Sequence, residues 1–317
     1  MRRIPRAARV GAAAWLLLVA LRPLGLIHLG LIDLIFLIAP LVVVPIGLSL
    51  VSPSRGIPGR LLDAAQRLQP LGAAAAAVSM LLPAGVGAGL LAMVWLAVCG
   101  LAALAGLTSL SRERRLPVLA RAAALAYLAV GGAWLVVFRL GVPVLSFPRV
   151  IVELTAVHFH FAGFAATLIS ALTAAWLRRN RSRWAGLSAT ALVLVVLGSP
   201  LTAAGFTSGS RPVQALGAAV IATGVLLTAG LLLLAVAPRV SGRAARWALR
   251  LSAVSPALPM VLALDWSGGP LFGIKTLSID AMAILHGVLN AFGFSLLGLI
   301  GWALSEEARI GERGWVE

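Results

Sequence analysis

Two histidines stand two residues apart in VELTAVHFHFAGFAATLISAL, Val152 to Leu172. The segment is long and apolar enough to lie in a bilayer, yet it holds Glu153, His158 and His160. Far downstream, HGVLNAFGF places His286 and Asn290 in a second apolar segment. The chain has four histidines in 317 residues, so three of them concentrate in these two stretches. Imidazole titrates near neutrality and is a common metal ligand. A carboxylate nearby can relay a proton or complete a metal site. Ionisable side chains inside a membrane are costly, and by default they mark a functional site.

Spacing refines the chemistry. On a regular α-helix Glu153 and His160, seven residues apart, share a face, whereas His158 and His160 diverge by about 200°. Histidines that share one metal are usually spaced i, i+4. The pair therefore serves two sides of its helix, or the helix is distorted. His286 and Asn290 are spaced i, i+4, and Gly293 continues their stripe with a small residue that permits close helix packing. The candidate substrate- or proton-binding residues are Glu153, His158, His160, His286, Asn290 and Arg22. A metal set drawn from them is His160, His286 and Glu153. Arg22 is expected either to pair with a carboxylate such as Asp33 or Glu153 or to bind substrate. The competing reading of all these groups is interhelical hydrogen bonding. His28 reads as interfacial, and Asp265, Lys275 and Asp280 as solvated. No serine is spaced so as to join a histidine in a catalytic triad.

The elements that must carry these residues follow from composition. The chain is 61% hydrophobic and 11% charged, with a mean hydropathy of +1.02. A soluble domain is nearer a quarter charged. Charge-poor apolar runs of membrane-spanning length recur from end to end. A transmembrane β-barrel would alternate polar and apolar residues instead. The expected fold is an all-α, polytopic transmembrane helix bundle of about ten spans: 10–29, 31–51, 68–84, 88–110, 117–140, 149–177, 184–205, 212–237, 247–264 and 280–304. The amino terminus is basic, then apolar, like a signal peptide. We read it as a retained first helix, because the apolar run resumes after Arg22 and Pro23. Between spans two and three, Ser52 to Arg67 is expected to form a short surface helix.

The net charge of +16 belongs to short arginine clusters between spans, not to a nucleic-acid-binding face. Arg2, Arg3, Arg6 and Arg9 precede span one. Arg55, Arg60 and Arg67; Arg112, Arg114 and Arg115; Arg178, Arg179, Arg181 and Arg183; and Arg239, Arg243 and Arg246 fill alternate loops. By the positive-inside rule these loops, and both termini, are cytoplasmic. Arginine dominance, with one lysine and abundant Ala, Gly and Pro, reads as GC-rich bacterial coding, which places the chain in a bacterial plasma membrane. It is expected to be one integral membrane domain, 1–317, with five-span halves at 1–140 and 149–304. An odd-numbered half forces inverted topology on its partner, as in several transporters. No P-loop pattern is present, and one cysteine, Cys99, allows no internal disulfide. The expected partners are the lipid bilayer and a small-molecule or proton substrate.

The pair LTAVHFHFAGFA and HGVLNAFGF resembles the YndJ-like family of bacterial multi-pass membrane proteins. His158, His160, His286 and Asn290 are the positions that match. The resemblance implies a multi-pass membrane protein, sometimes labelled a transporter, with no settled substrate. HFHF is also similar to the HFHY helix of haem-copper oxidase subunit one, where two histidines serve two haems. That enzyme needs a vicinal histidine pair, which this chain lacks. Three functions stay open: a secondary transporter or permease with a His/Glu site in the outer half of the membrane; an oxidoreductase or hydrolase holding haem or a transition metal on the same histidines; and a non-catalytic component in which these residues lock helices together.

Overall fold

The computed structural model describes residues 4–51, 56–111 and 115–305. Arg2, Arg3, Arg55, Arg112 and Arg114 lie outside the described residues. Among those described, all regular structure is helical. Ten helical runs follow in order: α1 (Arg6–Leu21), α2 (Leu31–Leu50), α3 (Ile57–Leu81), α4 (Val86–Ser109), α5 (Leu116–Leu140), α6 (Arg149–Arg179), α7 (Ala185–Thr207), α8 (Arg211–Val236), α9 (Arg243–Phe272) and α10 (Ile279–Leu304). All but α1 and α3 are long and apolar enough to cross a membrane. The all-α, multi-pass expectation holds. α1 has 16 residues, about 24 Å of helix against a hydrocarbon core of about 30 Å. The separate surface helix expected between Ser52 and Arg67 is corrected: α3 starts at Ile57 and runs unbroken to Leu81. Pro58 sits in its first turn, where a missing N–H costs nothing.

The chain divides into two compact units, Ile4–Phe164 and a second from Ala165 onward. In the first unit α2 is buried along 83% of its span, and two prolines shape it. Pro40 and Pro45 supply no N–H, so the carbonyls of Phe36 and Leu41 lose their α-register donors. The helix widens to π register over Ala39–Val43, and the Val44 N–H reaches back to the Ala39 carbonyl. Neighbouring side chains then satisfy α2 carbonyls. Trp15 Nε1 of α1 donates to Leu34 at 2.8 Å. Gln69 and Gln66 of α3 donate through Nε2 to Pro40 at 2.7 Å and Leu48 at 2.8 Å. In a hydrocarbon medium, irregular backbone survives only where other groups re-satisfy it.

The second unit packs through small residues. Gly198, Gly205, Gly217 and Gly224 line the α7–α8 contact, each lying where a Cβ would overlap backbone of the opposite helix. Ser170 of α6 and Thr228 of α8 hydrogen-bond through their hydroxyls at 3.0 Å. α9 is interrupted at Ser255 and Pro256, between α-helical Arg243–Val254 and Ala257–Gly268. α10 holds π register over 14 residues, Ala283–Leu296, although π-helices mostly occur as single-turn bulges. Ser252 Oγ of α9 donates to the Phe294 carbonyl of this segment at 2.7 Å, and Gly293 gives the room that Ser255 occupies.

Close approach of α7 and α8 generates a matched test. A Cβ at Gly217 would overlap the Thr202 backbone nitrogen, whereas a Cβ at Gly230, on the same helix, meets nothing within 4 Å. Gly217→Ala is expected to lower stability by about 1–3 kcal/mol through overpacking. Gly230→Ala is expected to be neutral or stabilising by up to about 1 kcal/mol. Thermal unfolding of the two variants in detergent, followed by circular dichroism, checks the difference.

Candidate functional site

His160 lies at the centre of the first unit, with no exposed surface. The helix carrying it passes from α to π register at Phe159 and stays so to Ala165. Its Nδ1–H donates to the Ala156 carbonyl at 2.7 Å. A carbonyl can only accept, so this contact sets the tautomer and leaves Nε2 as an acceptor. The Trp95 indole N–H of α4 donates to Nε2 at 3.0 Å. The two rings lie 5.9 Å apart and nearly parallel, and Phe36 of α2 meets the imidazole edge-on at 5.2 Å. Gly131 of α5 closes the fourth side, where a Cβ would stand 2.6 Å from Nδ1. Side chains or backbone from α2, α4, α5 and α6 thus converge on one neutral imidazole.

His158 behaves as the helical angle requires. It is exposed where His160 is buried, and its Nδ1–H donates to Leu154 of its own helix at 2.6 Å. Both predicted alternatives are realised together: the helix distorts between the histidines, and they still serve opposite sides.

One turn into α6, Glu153 faces α2, as His160 does. The charge of the Asp33 carboxyl of α2 reaches it. Asp33 and Phe36 lie three residues apart in α2, so one stripe of α2 meets one stripe of α6. Asp33 also accepts the Gly30 N–H at 2.7 Å, capping α2. Glu153 Oε1 is buried with no hydrogen-bond partner. The guanidinium groups whose charge reaches this pair are Arg139, at the end of α5, and Arg149, at the start of α6. Arg139 is 5% exposed. Its Nη2 donates to the Leu82 carbonyl, its own carbonyl accepts the Gly85 N–H at 2.8 Å, and its Nε is buried without a partner. The exposed Arg149 guanidinium stacks over Phe138 at 4.3 Å, a cation–π geometry.

In the second unit His286 and Asn290 lie on the π segment of α10 and contact each other. His286 Nδ1–H donates to the Pro259 carbonyl of α9 at 2.8 Å. Asn290 Nδ2 donates to His286 Nε2 at 3.3 Å. The stripe read from the sequence is therefore a tie between the π segment of α10 and the proline-rich start of the second α9 segment.

The structure sorts the remaining candidates. Arg22 and His28 are exposed beyond the end of α1. The arginines whose charge reaches Glu153 are Arg139 and Arg149. The metal set His160, His286 and Glu153 gains no support: among the described residues no group of three or more His, Cys, Asp or Glu could hold a metal ion. Haem fits His160 no better, because both of its ring nitrogens are engaged. Trp95 had no signal in the sequence beyond its place in an apolar run. Two variants test the His160 centre. Trp95→Phe strands a buried imidazole nitrogen and is expected to cost about 1–3 kcal/mol. Gly131→Ala drives a methyl against the same ring and is expected to cost a similar amount. Both should lower the unfolding temperature in detergent; an unchanged Trp95→Phe midpoint would refute the assignment.

Comparison with known proteins bears on the two histidine segments directly. The family model described as YndJ-like protein matches residues 34–294, from one residue after Asp33 through HGVLNAFGF. Among curated proteins, the "Uncharacterized membrane protein YndJ" of Bacillus subtilis (strain 168) is 29% identical over 182 residues, covering 57% of this chain and 32% of that protein. The chain therefore spans only about a third of the curated relative it matches. No solved structure matches. With most of its length under the family model, including both histidine segments, the chain belongs to the YndJ-like family of membrane proteins.

Proposed function

We propose that this chain is a secondary transporter or permease that moves a proton through the Asp33–Glu153 carboxyl pair. The observation that carries the reading is a carboxyl on each of two helices long and apolar enough to cross a membrane, Asp33 of α2 and Glu153 of α6, near enough for the charge of one to act on the other. A carboxyl pair in such a setting holds one proton between two helices. Giving it up leaves two like charges side by side, which favours separation of α2 and α6. Proton loss and helix movement are thereby linked, as alternating access needs. The flanking arginines lower the cost of the charged state. His160 serves in this reading as the fixed point of the unit, because its nitrogens are fully engaged. His286, likewise engaged at both nitrogens, ties α10 to α9. With the arginine-rich loops in the cytoplasm, the carboxyl pair opens to the outside of a bacterial plasma membrane.

Purified protein in liposomes loaded with a pH-sensitive dye tests this. Amino acids, sugars, small carboxylates and inorganic anions are offered one class at a time under an imposed membrane potential. At least one class is expected to drive proton movement above that of protein-free liposomes. Glu153→Gln and Asp33→Asn should each slow it by about tenfold or more, the order expected for losing a group that transfers the proton. Equal rates in wild type and Glu153→Gln, with both variants folded, would overturn the proposal.

A further inference from the structure

Positive charge collects at one end of the second unit. A Cβ at Gly224 of α8 would stand 2.7 Å from the Val195 nitrogen of α7, and one at Gly217 2.4 Å from that of Thr202; Gly205 of α7 faces Gln214 of α8 in the same way. The two helices therefore run antiparallel, and the start of α7 lies level with the end of α8. The turn that joins α6 to α7, residues 180–184, and the turn that joins α8 to α9, residues 237–242, share that end. Gly298 and Gly301 of α10 meet Ser252 and Leu249 of α9, so α10 finishes there too. Arg178, Arg179, Arg181 and Arg183 flank the first turn, and Arg239, Arg243, Arg246 and Arg250 the second. Within residues 165–305 the acidic side chains are Asp265, late in α9, and Asp280, at the start of α10. Both lie toward the opposite end, so none of them meets the arginines.

The outward stripe of α9 has the layering of a lipid leaflet. Arg243, Trp247, Leu251 and Val254 are all exposed, and spacings of four, four and three residues hold them on one face. Charge comes first, then an amphipathic ring, then aliphatic carbon, which is the order of headgroup, interface and acyl chain. Arg250 lies among the apolar residues of this stripe, but its guanidinium stands over the Trp247 ring at 5.2 Å. Helix side chains lean toward the helix N-terminus, and here that lean carries the charge back to headgroup level. The start of α7 repeats the arrangement: Arg183 stands over the Trp184 ring at 4.8 Å, and exposed Leu187 follows. At the edge of the α9 stripe, Arg246 has a buried Nε with no hydrogen-bond acceptor.

We infer that this end of the second unit binds the headgroup of an anionic phospholipid through its two Arg–Trp couples. The chemistry selects this class. A guanidinium lying over an indole spends its face on the ring and keeps its N–H edge for a phosphate, whose geometry the donor fork matches. A phosphate diester brings acceptors to a surface that offers donors, and the acyl chains beneath it run along Leu251 and Val254. Choline lipids carry the same phosphate beside a fixed cation, which the clustered arginines repel, so a headgroup with net negative charge is preferred. The carboxyl pair lies in the other unit, and lipid binding here asks nothing of it.

The full chain in detergent is titrated with phosphatidylglycerol or with phosphatidylcholine, and thermal unfolding is followed by circular dichroism. Phosphatidylglycerol is expected to raise the midpoint saturably, and phosphatidylcholine is not. Arg183→Gln and Arg250→Gln should each weaken apparent affinity for phosphatidylglycerol by about fivefold, the order expected for one arginine at a lipid surface. Arg250→Lys, which keeps the charge, should retain most of it. Arg211→Gln makes the same change of charge at the other end of α8 and is expected to leave the affinity as it is. A lipid-free midpoint near that of wild type shows each variant to be folded. Equal shifts with the two lipids, an unchanged affinity in the Arg183→Gln, Arg250→Gln double variant, or an equal loss in Arg211→Gln would overturn the site.

Discussion

A polar group that leaves water for the interior of a membrane protein must find its hydrogen bonds there, and His160 shows how much structure that demand organises. An imidazole has two nitrogens, and each needs a partner of the right kind. One is supplied by the helix itself, at Ala156; the other by an indole from α4. Phe36 and Gly131 then shape the space around the ring. Because lipid offers no hydrophobic drive between helices, polar and close-packed contacts of this kind decide which helices meet.

The same demand explains the π-helical segments. Both apolar segments that carry histidines enter π register: Phe159–Ala165 within α6, and all of HGVLNAFGF within Ala283–Leu296 of α10. A wider turn changes which carbonyls meet which donors, and side chains from adjacent helices complete the set. Ser252 does so at Phe294, and Gln69 does so at Pro40 in the π segment of α2. π segments cluster at functional sites in proteins generally. Here they place a histidine against a neighbouring helix in each unit, in one case closed off completely and in the other half-buried beside Asn290.

Charge follows a different logic. Near the ends of α2, α5 and α6, two carboxyls and two guanidiniums lie within reach of one another's charge. Arg139 Nε and Glu153 Oε1 are buried there without hydrogen-bond partners. This contrast with the saturated surroundings of His160 is why the proposed chemistry sits on the carboxyls and arginines, and not on the histidine that first drew attention.

The sequence by itself determined the class of the protein. Apolar runs of spanning length dictate helices, because each span must satisfy its own backbone, and all but two of the ten helices have the length and composition of membrane spans. It also determined that Glu153 and His160 share a face and that His158 looks away, since these follow from turn angle alone. Only the tertiary structure decided what each face meets. Asp33 and Glu153 are 120 residues apart in the chain, and nothing in local spacing joins them. Arg139 and Arg149 stand at the end of α5 and the start of α6, and only the packing of those helices sets which charges they meet. Trp95 read as one more apolar residue until its N–H was found on His160. Periodicity encodes the direction of a side chain from its own helix axis; the partner it reaches depends on how the helices pack, and that is a property of the folded chain.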